Sequence, residues 1–385
     1  MHMRTPGARV LSVPAMLLAG AVAFGQARTA APPSEARPAG TDLPDVRQYK
    51  PRSSLVVPAH QVPRARFPVV DIHGHPPALT SPAVVRDVVT AMDGINLGVM
   101  VQATGASGTR LRQAVDAIRA SGLQDRVVMF ANISFQEAGP GFGQRAAAQL
   151  EQDVKAGALG LGEIMKSLGL TARRTDGSRL RVDDPELDPI WATAGRLGIP
   201  VFIHTADPSE FFAPFDYQNE RWLEMWLFPG RRYFDRSRFP SFEELMAERD
   251  RVLARHKGTR FILAHLGWHA QDLGRLGAMF DRMPNVYGEI GAILYELGRQ
   301  PRTAREFLVK HQDRVLFGKD SFQPAEYPYY WRTLETADEY FDYYRDYHAF
   351  WKLYGLDLPD DVLRKIYYGN AVRLIPGLPR AALPD

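Results

Sequence analysis
From Phe67 onward one pattern recurs along the chain: a short, uniformly apolar run, a polar loop, then a stretch with helical period. The apolar runs are Pro68–Ile72, Gly98–Gln102, Arg126–Ile133, Ala158–Ile164, Pro200–His204, Arg260–His265, Asn285–Ile290 and Val315–Gly318. Most lack the apolar–polar alternation of a half-exposed sheet, so they read as parallel strands covered on both faces. Between them, Leu111, Ala114, Val115 and Ile118 fall at the i, i+3, i+4, i+7 spacing of an amphipathic helix, as do Leu187, Ile190, Trp191 and Ala194. Gly122, Gly157, Gly198 and Gly258 stand where those helices should end in a left-handed cap. Eight such units over roughly 250 residues predict an α/β fold, a (β/α)8 TIM barrel. An open doubly wound sheet would carry a Gly-rich phosphate loop after its first strand, and none follows Asp71.

Two connections exceed what a barrel needs. Residues 206–259, after the fifth strand, and 322–354, after the eighth, are crowded with aromatic side chains. Long loops at the C-terminal ends of barrel strands build binding surfaces. Most of these aromatics should pack on one another as helical insertions, with Trp222, Trp226 or Tyr330 the ones expected to face a substrate. Ahead of the barrel, Arg4 and Arg9 precede an apolar run from Val10 to Phe24, with small residues around Ala23 and Ala27. This is the plan of a secretory signal peptide over residues 1–27, and the run is shorter than the ~20 residues of a spanning anchor. Residues 28–66, rich in Pro, Ala and Arg, are expected to form a flexible lead-in, and 67–385 the barrel. An exported, periplasmic location follows as the expectation, with no stable membrane anchor once the leader is cleaved.

Charge and cysteine content remove several classes. The chain has no cysteine, which excludes a disulfide scaffold, a thiol nucleophile and Cys-ligated metal. Its formal charge is +3, but residues 1–66 hold nine Lys or Arg against three acids, leaving the body at −3. Nucleic-acid binding has no support in that distribution.

Of ten histidines, four fall at strand ends: His73 and His75 after the first, His204 after the fifth and His265 after the sixth. At i and i+2 on extended backbone, His73 and His75 point to one side, here the barrel mouth. Gly74 between them would let the backbone approach whatever they hold. Asp320 ends the eighth strand, next to the first in a closed ring. Three imidazoles and a carboxylate with a position left for water describe a catalytic metal site, suited to Zn²⁺ and compatible with Mn²⁺ or Fe²⁺.

The run Asp71-Ile72-His73-Gly74-His75, the strand-end His204 and His265, Gly318-Lys319-Asp320 and the closing 365–374 segment resemble the amidohydrolase superfamily. The resemblance is to its amidohydrolase-related branch, which includes aminocarboxymuconate-semialdehyde decarboxylase, resorcylate-type decarboxylases and several lactonases. It spans about Phe67 to Ile375 and implies His73, His75, His204 and Asp320 as metal ligands. It also implies His265 as the group that polarises substrate or water, and Asp320 as the proton shuttle. One departure is the fourth strand end, Gly162-Glu163-Ile164-Met165-Lys166, where binuclear relatives place a bridging lysine or glutamate. Glu163 is then the bridging candidate and His265 a ligand of the second ion; otherwise Glu163 and Lys166 form a rim ion pair. Asp71 is expected to orient a ligand histidine, Glu289 to hydrogen-bond at the rim, and His269 to line the pocket or lie on the surface. Arg231 and Arg232 are either a substrate-carboxylate receptor or a solvated pair.

The resemblance thus implies a metal-dependent hydrolase acting on a small ester, lactone or amide, with a metal-dependent decarboxylase of an aromatic or muconate-like acid as the alternative. A small-molecule substrate is the expected partner, and Tyr327–Trp331 is compatible with a homo-oligomer contact.

Overall fold
The computed structural model describes residues 51–384; the leader and lead-in up to residue 50 lie outside it. The described strands are β1 (Val69–His75), β2 (Leu97–Ala106), β3 (Val127–Ala131), β4 (Ala158–Ile164), β5 (Val201–Ile203), β6 (Phe261–Leu263), β7 (Val286–Glu289), β8 (Val315–Leu316) and β9 (Asp320–Ser321). From β1 to β8 each strand pairs in parallel with the next in chain order. β8 pairs with β7 and β9 with β1, while Ile72 N donates to the Phe317 carbonyl. One broken strand thus joins both ends of the sheet, and the fold is the (β/α)8 barrel with long insertions after β5 and β8.

Two apolar layers hold it. Val70, Ile72, Val99, Val101, Phe130, Phe202 and Ile262 fill the barrel interior, which the C-terminal residues Ala371, Leu374 and Ile375 plug from below. Strand residues of opposite parity, such as Val69, Met100 and Val201, pack outward against the helices. Among described residues no helix is long and apolar enough to cross a membrane.

Gly122 and Gly198 cap their helices in left-handed conformation, with φ of 75° and 70°. Gly157, at φ 121°, ends the helix Phe142–Ala156 in the same role. Gly258 does not: the helix Phe242–Arg255 ends at His256, whose N–H bonds back to the Val252 carbonyl. Residues 51–66 contain no helix or strand, and from His60 onward they are bonded to the barrel. The His60 N–H donates to Asp338 Oδ2 at 2.7 Å and the Arg66 N–H to Glu335 Oε1 at 3.0 Å.

Candidate metal centre
Pairing between β1 and β2 is irregular between Asp71 and Gly74. Across that irregularity the inward parity changes. Val70 and Ile72 fill the interior, a Cβ on Gly74 would strike outward-packed Met100, and His73 and His75 turn to the mouth. Gly74 therefore serves contact with β2, where an added Cβ would sit 1.9 Å from Met100 Sδ and 2.8 Å from the Val101 carbonyl. This corrects the expectation that it opens space for a ligand. His265 and Asp320 are reached by another device. His265 lies two residues beyond β6, at φ 57° in a left-handed run that continues through Leu266 and Trp268, and Asp320 sits at φ 80°. Non-glycine residues in that region cost about 1–2 kcal/mol each, so the strain is concentrated where the imidazole and carboxylate are aimed.

These turns bring His73, His75, Glu163, His204, His265 and Asp320 together. Glu163 Oε2 lies 3.3 Å from His73 Nε2 and 3.1 Å from His75 Nε2, while Oε1 lies 2.5 Å from His204 Nδ1. Asp320 Oδ1 is 3.7 and 3.6 Å from the Nε2 atoms of His73 and His75. The His265 ring is 4.5 Å from that of His204 and stacks on Trp268 at 4.4 Å. Donor atoms of His73, His75 and Glu163 form one compact triad, and those of Glu163, His204 and His265 another. Glu163 is common to both.

The outer partners fix the rings. His73 Nδ1 is 3.0 Å from Glu289 Oε1, His75 Nδ1 is 2.7 Å from Thr104 Oγ1, and His265 Nδ1–H donates to the Gly291 carbonyl at 2.8 Å. Buried Nε2 atoms of His73 and His204 have no hydrogen-bond partner. Buried donors left unpaired are costly, and lone pairs aimed at a shared centre fit a cation.

Electrostatics agree with that fit. Burial acts to lower the His73 pKa, yet Glu289 and Glu163 hold it well above the ordinary value. Burial would raise Glu163, yet the charge of His73 and its close contacts with His204, His73 and His75 hold it well below the carboxylate range. His265 is pushed down to about 4 by burial and by His204 and His73, so it is a neutral donor. Two buried carboxylates, Glu163 and Glu289, and the partly exposed Asp320 thus face a cluster that attracts positive charge.

Several expectations change. Lys166 pairs with Asp207 at 2.6 Å, not with Glu163, because it points across to the β5 loop while Glu163 points inward. Asp71 accepts the His73 and Lys319 backbone N–H groups and the Tyr327 hydroxyl, so it holds the strand end that carries His73 and His75; the His73 ring is oriented by Glu289. His269 neither lines the mouth nor lies on the surface: it is buried beside Arg249. Tyr330 is fully buried, its hydroxyl accepting from Ala292 N, and Trp222 stacks between Phe215 and Trp226 away from the cluster. Arg231 does line the mouth but is bonded to Glu224, and Arg232 donates to the Met225 carbonyl over the Phe215 ring. Trp268, Asp207, Arg345 and His348 border the cluster and escaped the sequence reading. Their signal was weak: polar residues inside aromatic insertions, where burial demands a polar purpose.

Residues 55–377 match the model of the amidohydrolase family. No match is found among curated proteins. Among solved structures, a TIM-barrel protein from Bordetella bronchiseptica is 19% identical with a TM-score of 0.50, over 80% of this chain and 98% of that one. A 2,6-dihydroxybenzoate decarboxylase from Rhizobium is 16% identical with a TM-score of 0.48, over 80% and 98%. A putative 2-pyrone-4,6-dicarboxylic acid hydrolase from Pseudomonas putida is 12% identical with a TM-score of 0.41, over 80% and 97%.

Proposed function
The chain belongs to the amidohydrolase family, and from that premise we propose that it is a metal-dependent hydrolase of an ester, lactone or amide bond in a small molecule, built around two ions. The observation that carries the reading is the division of Glu163: Oε2 faces His73 and His75, and Oε1 faces His204. One ion would be held by His73, His75, Asp320 and Glu163 Oε2, the other by His204, His265 and Glu163 Oε1. Nitrogen and oxygen donors suit Zn²⁺, with Mn²⁺ and Fe²⁺ also compatible. When bound, such a pair lowers the pKa of water to near 7 and polarises an acyl oxygen.

The protein's own groups do the rest. Asp320, on the mouth side of the cluster, takes the attacking water's proton and hands it to the departing alkoxide or amine. Glu289 and Thr104 keep His73 and His75 in ligand orientation. Trp268, stacked on His265, excludes water from that side. The basic residues and apolar run at the start of the sequence support an exported, periplasmic site for this activity.

The test is metal content per chain by plasma mass spectrometry, followed by a substrate panel. About two ions are expected in the native protein and about one in Glu163→Gln, with hydrolysis of an ester, lactone or amide lost in the variant. One ion in both proteins would overturn the bridging role of Glu163. Carbon dioxide release from an aromatic acid without hydrolysis of any panel member would replace the hydrolase reading with the decarboxylase.

A further inference from the structure
Two spaces of unequal size lie by the cluster, one lined by its own residues and the other by residues bonded to them. A chamber of about 120 Å³, a volume that about four waters would fill, is lined by His204, His265 and Asp320 and also by Arg345, His348 and Tyr295. A groove of about 1530 Å³ begins at Thr104 and Asn132, the residues that hold His75 and the Glu163 carbonyl. From there it runs past Leu79, Ile133 and Phe135. The end of β4 divides them: Met165, an exposed apolar side chain, lines the groove, and Lys166 lines the chamber.

The chamber holds four cations, and three are committed. Lys166 is taken by Asp207, and Arg221 and Arg231 converge on Glu224. Arg345 differs. Among described residues its guanidinium hydrogen-bonds only Ser321 Oγ, at 3.1 Å; its ion pair with Glu326, at 3.6 Å, is shared with Lys319, and it lies 5.3 Å over the Tyr344 ring, so most of its N–H donors stay open. Beside it His348 is buried with neither ring nitrogen hydrogen-bonded, although Nε2 lies 3.3 Å from Glu224. A guanidinium with spare donors and a buried imidazole without a hydrogen bond, in a space the size of a carboxylate and one or two carbons, form an anion receptor.

Asp320 lines the chamber, so the group it protonates departs on the chamber side. We infer that the substrate is an N-acyl amino acid with a small head: the amino-acid carboxylate sits on Arg345 and His348, and the acyl chain lies in the groove. This rests on the hydrolase reading. In the reaction the oxygen of water bonds to the acyl carbon, the C–N bond breaks, and the water's proton passes through Asp320 to the amine nitrogen. The products are a carboxylic acid and a free amino acid.

The test compares N-lauroylglycine, N-lauroylglycinamide and N-acetylglycine as substrates of the zinc-loaded protein, read by amine release. N-lauroylglycine should exceed each of the others in kcat/KM by at least about tenfold. In Arg345→Gln the carboxylate-to-amide ratio should fall to about one at unchanged metal content, and Arg345→Lys should restore part of it. Calorimetry on Asp320→Asn gives a readout without turnover: N-lauroylglycine should bind, and a second substitution, Arg345→Gln, should weaken it at least about tenfold. A ratio near one in the native protein, or a ratio indifferent to Arg345→Gln, overturns the assignment while leaving hydrolysis intact. No hydrolysis of any acyl compound, with Arg345-dependent binding retained, sinks the hydrolase reading and leaves the receptor standing.

Discussion

Three of the four imidazoles at the mouth commit Nδ1 to the protein and turn Nε2 inward; His204 meets Glu163 through Nδ1 instead. The histidines themselves were legible in the sequence, because strand-end positions in a barrel point to one rim. Their supports were not. Glu289 and Asp71 are both carboxylates near strand ends, and only the fold shows that one holds a ring and the other a backbone. His269 shows the same limit, since the left-handed backbone of residues 265–268 carries it into the packing around Arg249. Its pKa is pushed down to about 2, by burial first and then by Arg249 and Arg275. The folded protein thus keeps His269 neutral while the unfolded chain takes a proton near the ordinary 6.5. Stability from this group is complete above that value and drains as pH falls, by up to about 1.4 kcal/mol per pH unit. Urea unfolding at pH 7 and pH 5 should show the native protein losing roughly 2 kcal/mol more than His269→Gln across that interval. Equal losses would mean that His269 is protonated in the fold.

At the scale of elements, uniform apolarity located the strands but not their ends. β5, β6 and β8 have only three, three and two residues in ladder pairing, shorter than their apolar runs, because the chain turns as soon as it reaches the rim. The irregularity in β1 was invisible for a different reason: period-two reasoning assumes an unbroken pleat, and here Ile72 and His73 both face inward. Broken strands let layers approach closely, and Gly318, between the halves of the eighth strand, marks such an approach beside the cluster. A Cβ there would lie 2.1 Å from Glu289 Oε2 and 2.7 Å from His73 Cβ. Both contacts belong to the support of a proposed ligand, so neither can yield without moving it. Gly318→Ala should cost roughly 1–3 kcal/mol of stability, as overpacking does. It should also shrink the rise in melting temperature that saturating zinc gives the native protein. Circular dichroism melts with and without zinc check both; an unaltered zinc response would show that the His73–Glu289 contact does not position a ligand.

At the scale of the whole molecule, the recurring unit made the barrel legible, whereas the way the insertions close over the mouth depends on contacts between distant segments. The segment after the eighth strand supplies Arg345 and His348 to the chamber, and it is fastened at its base by residues that precede the barrel. Asp338, whose carboxylate is fully buried, accepts from the His60 N–H at 2.7 Å and from Arg332 Nε at 2.7 Å. Glu335 accepts from the Arg66 N–H, and its carbonyl accepts from Arg66 Nη2 at 3.1 Å. Ala65 is buried, with its N–H on the Ile95 carbonyl and its own carbonyl accepting from Asn96 Nδ2. A chain begun at Phe67 keeps the Arg332 bond but loses the rest and leaves two buried carboxylates short of donors. Set against a chain begun at Arg52, it should lose about 2 kcal/mol or more, since bonds to charged groups are each worth roughly 1.5–3 kcal/mol. The loss should be local before it is global. Hydrogen exchange should quicken at residues 336–358 while the strands stay protected, and the preference for a carboxylate-bearing substrate should weaken with it. Identical exchange in the two chains would mean that the insertion holds its shape without the strap, and that residues 60–66 serve only to enter the barrel.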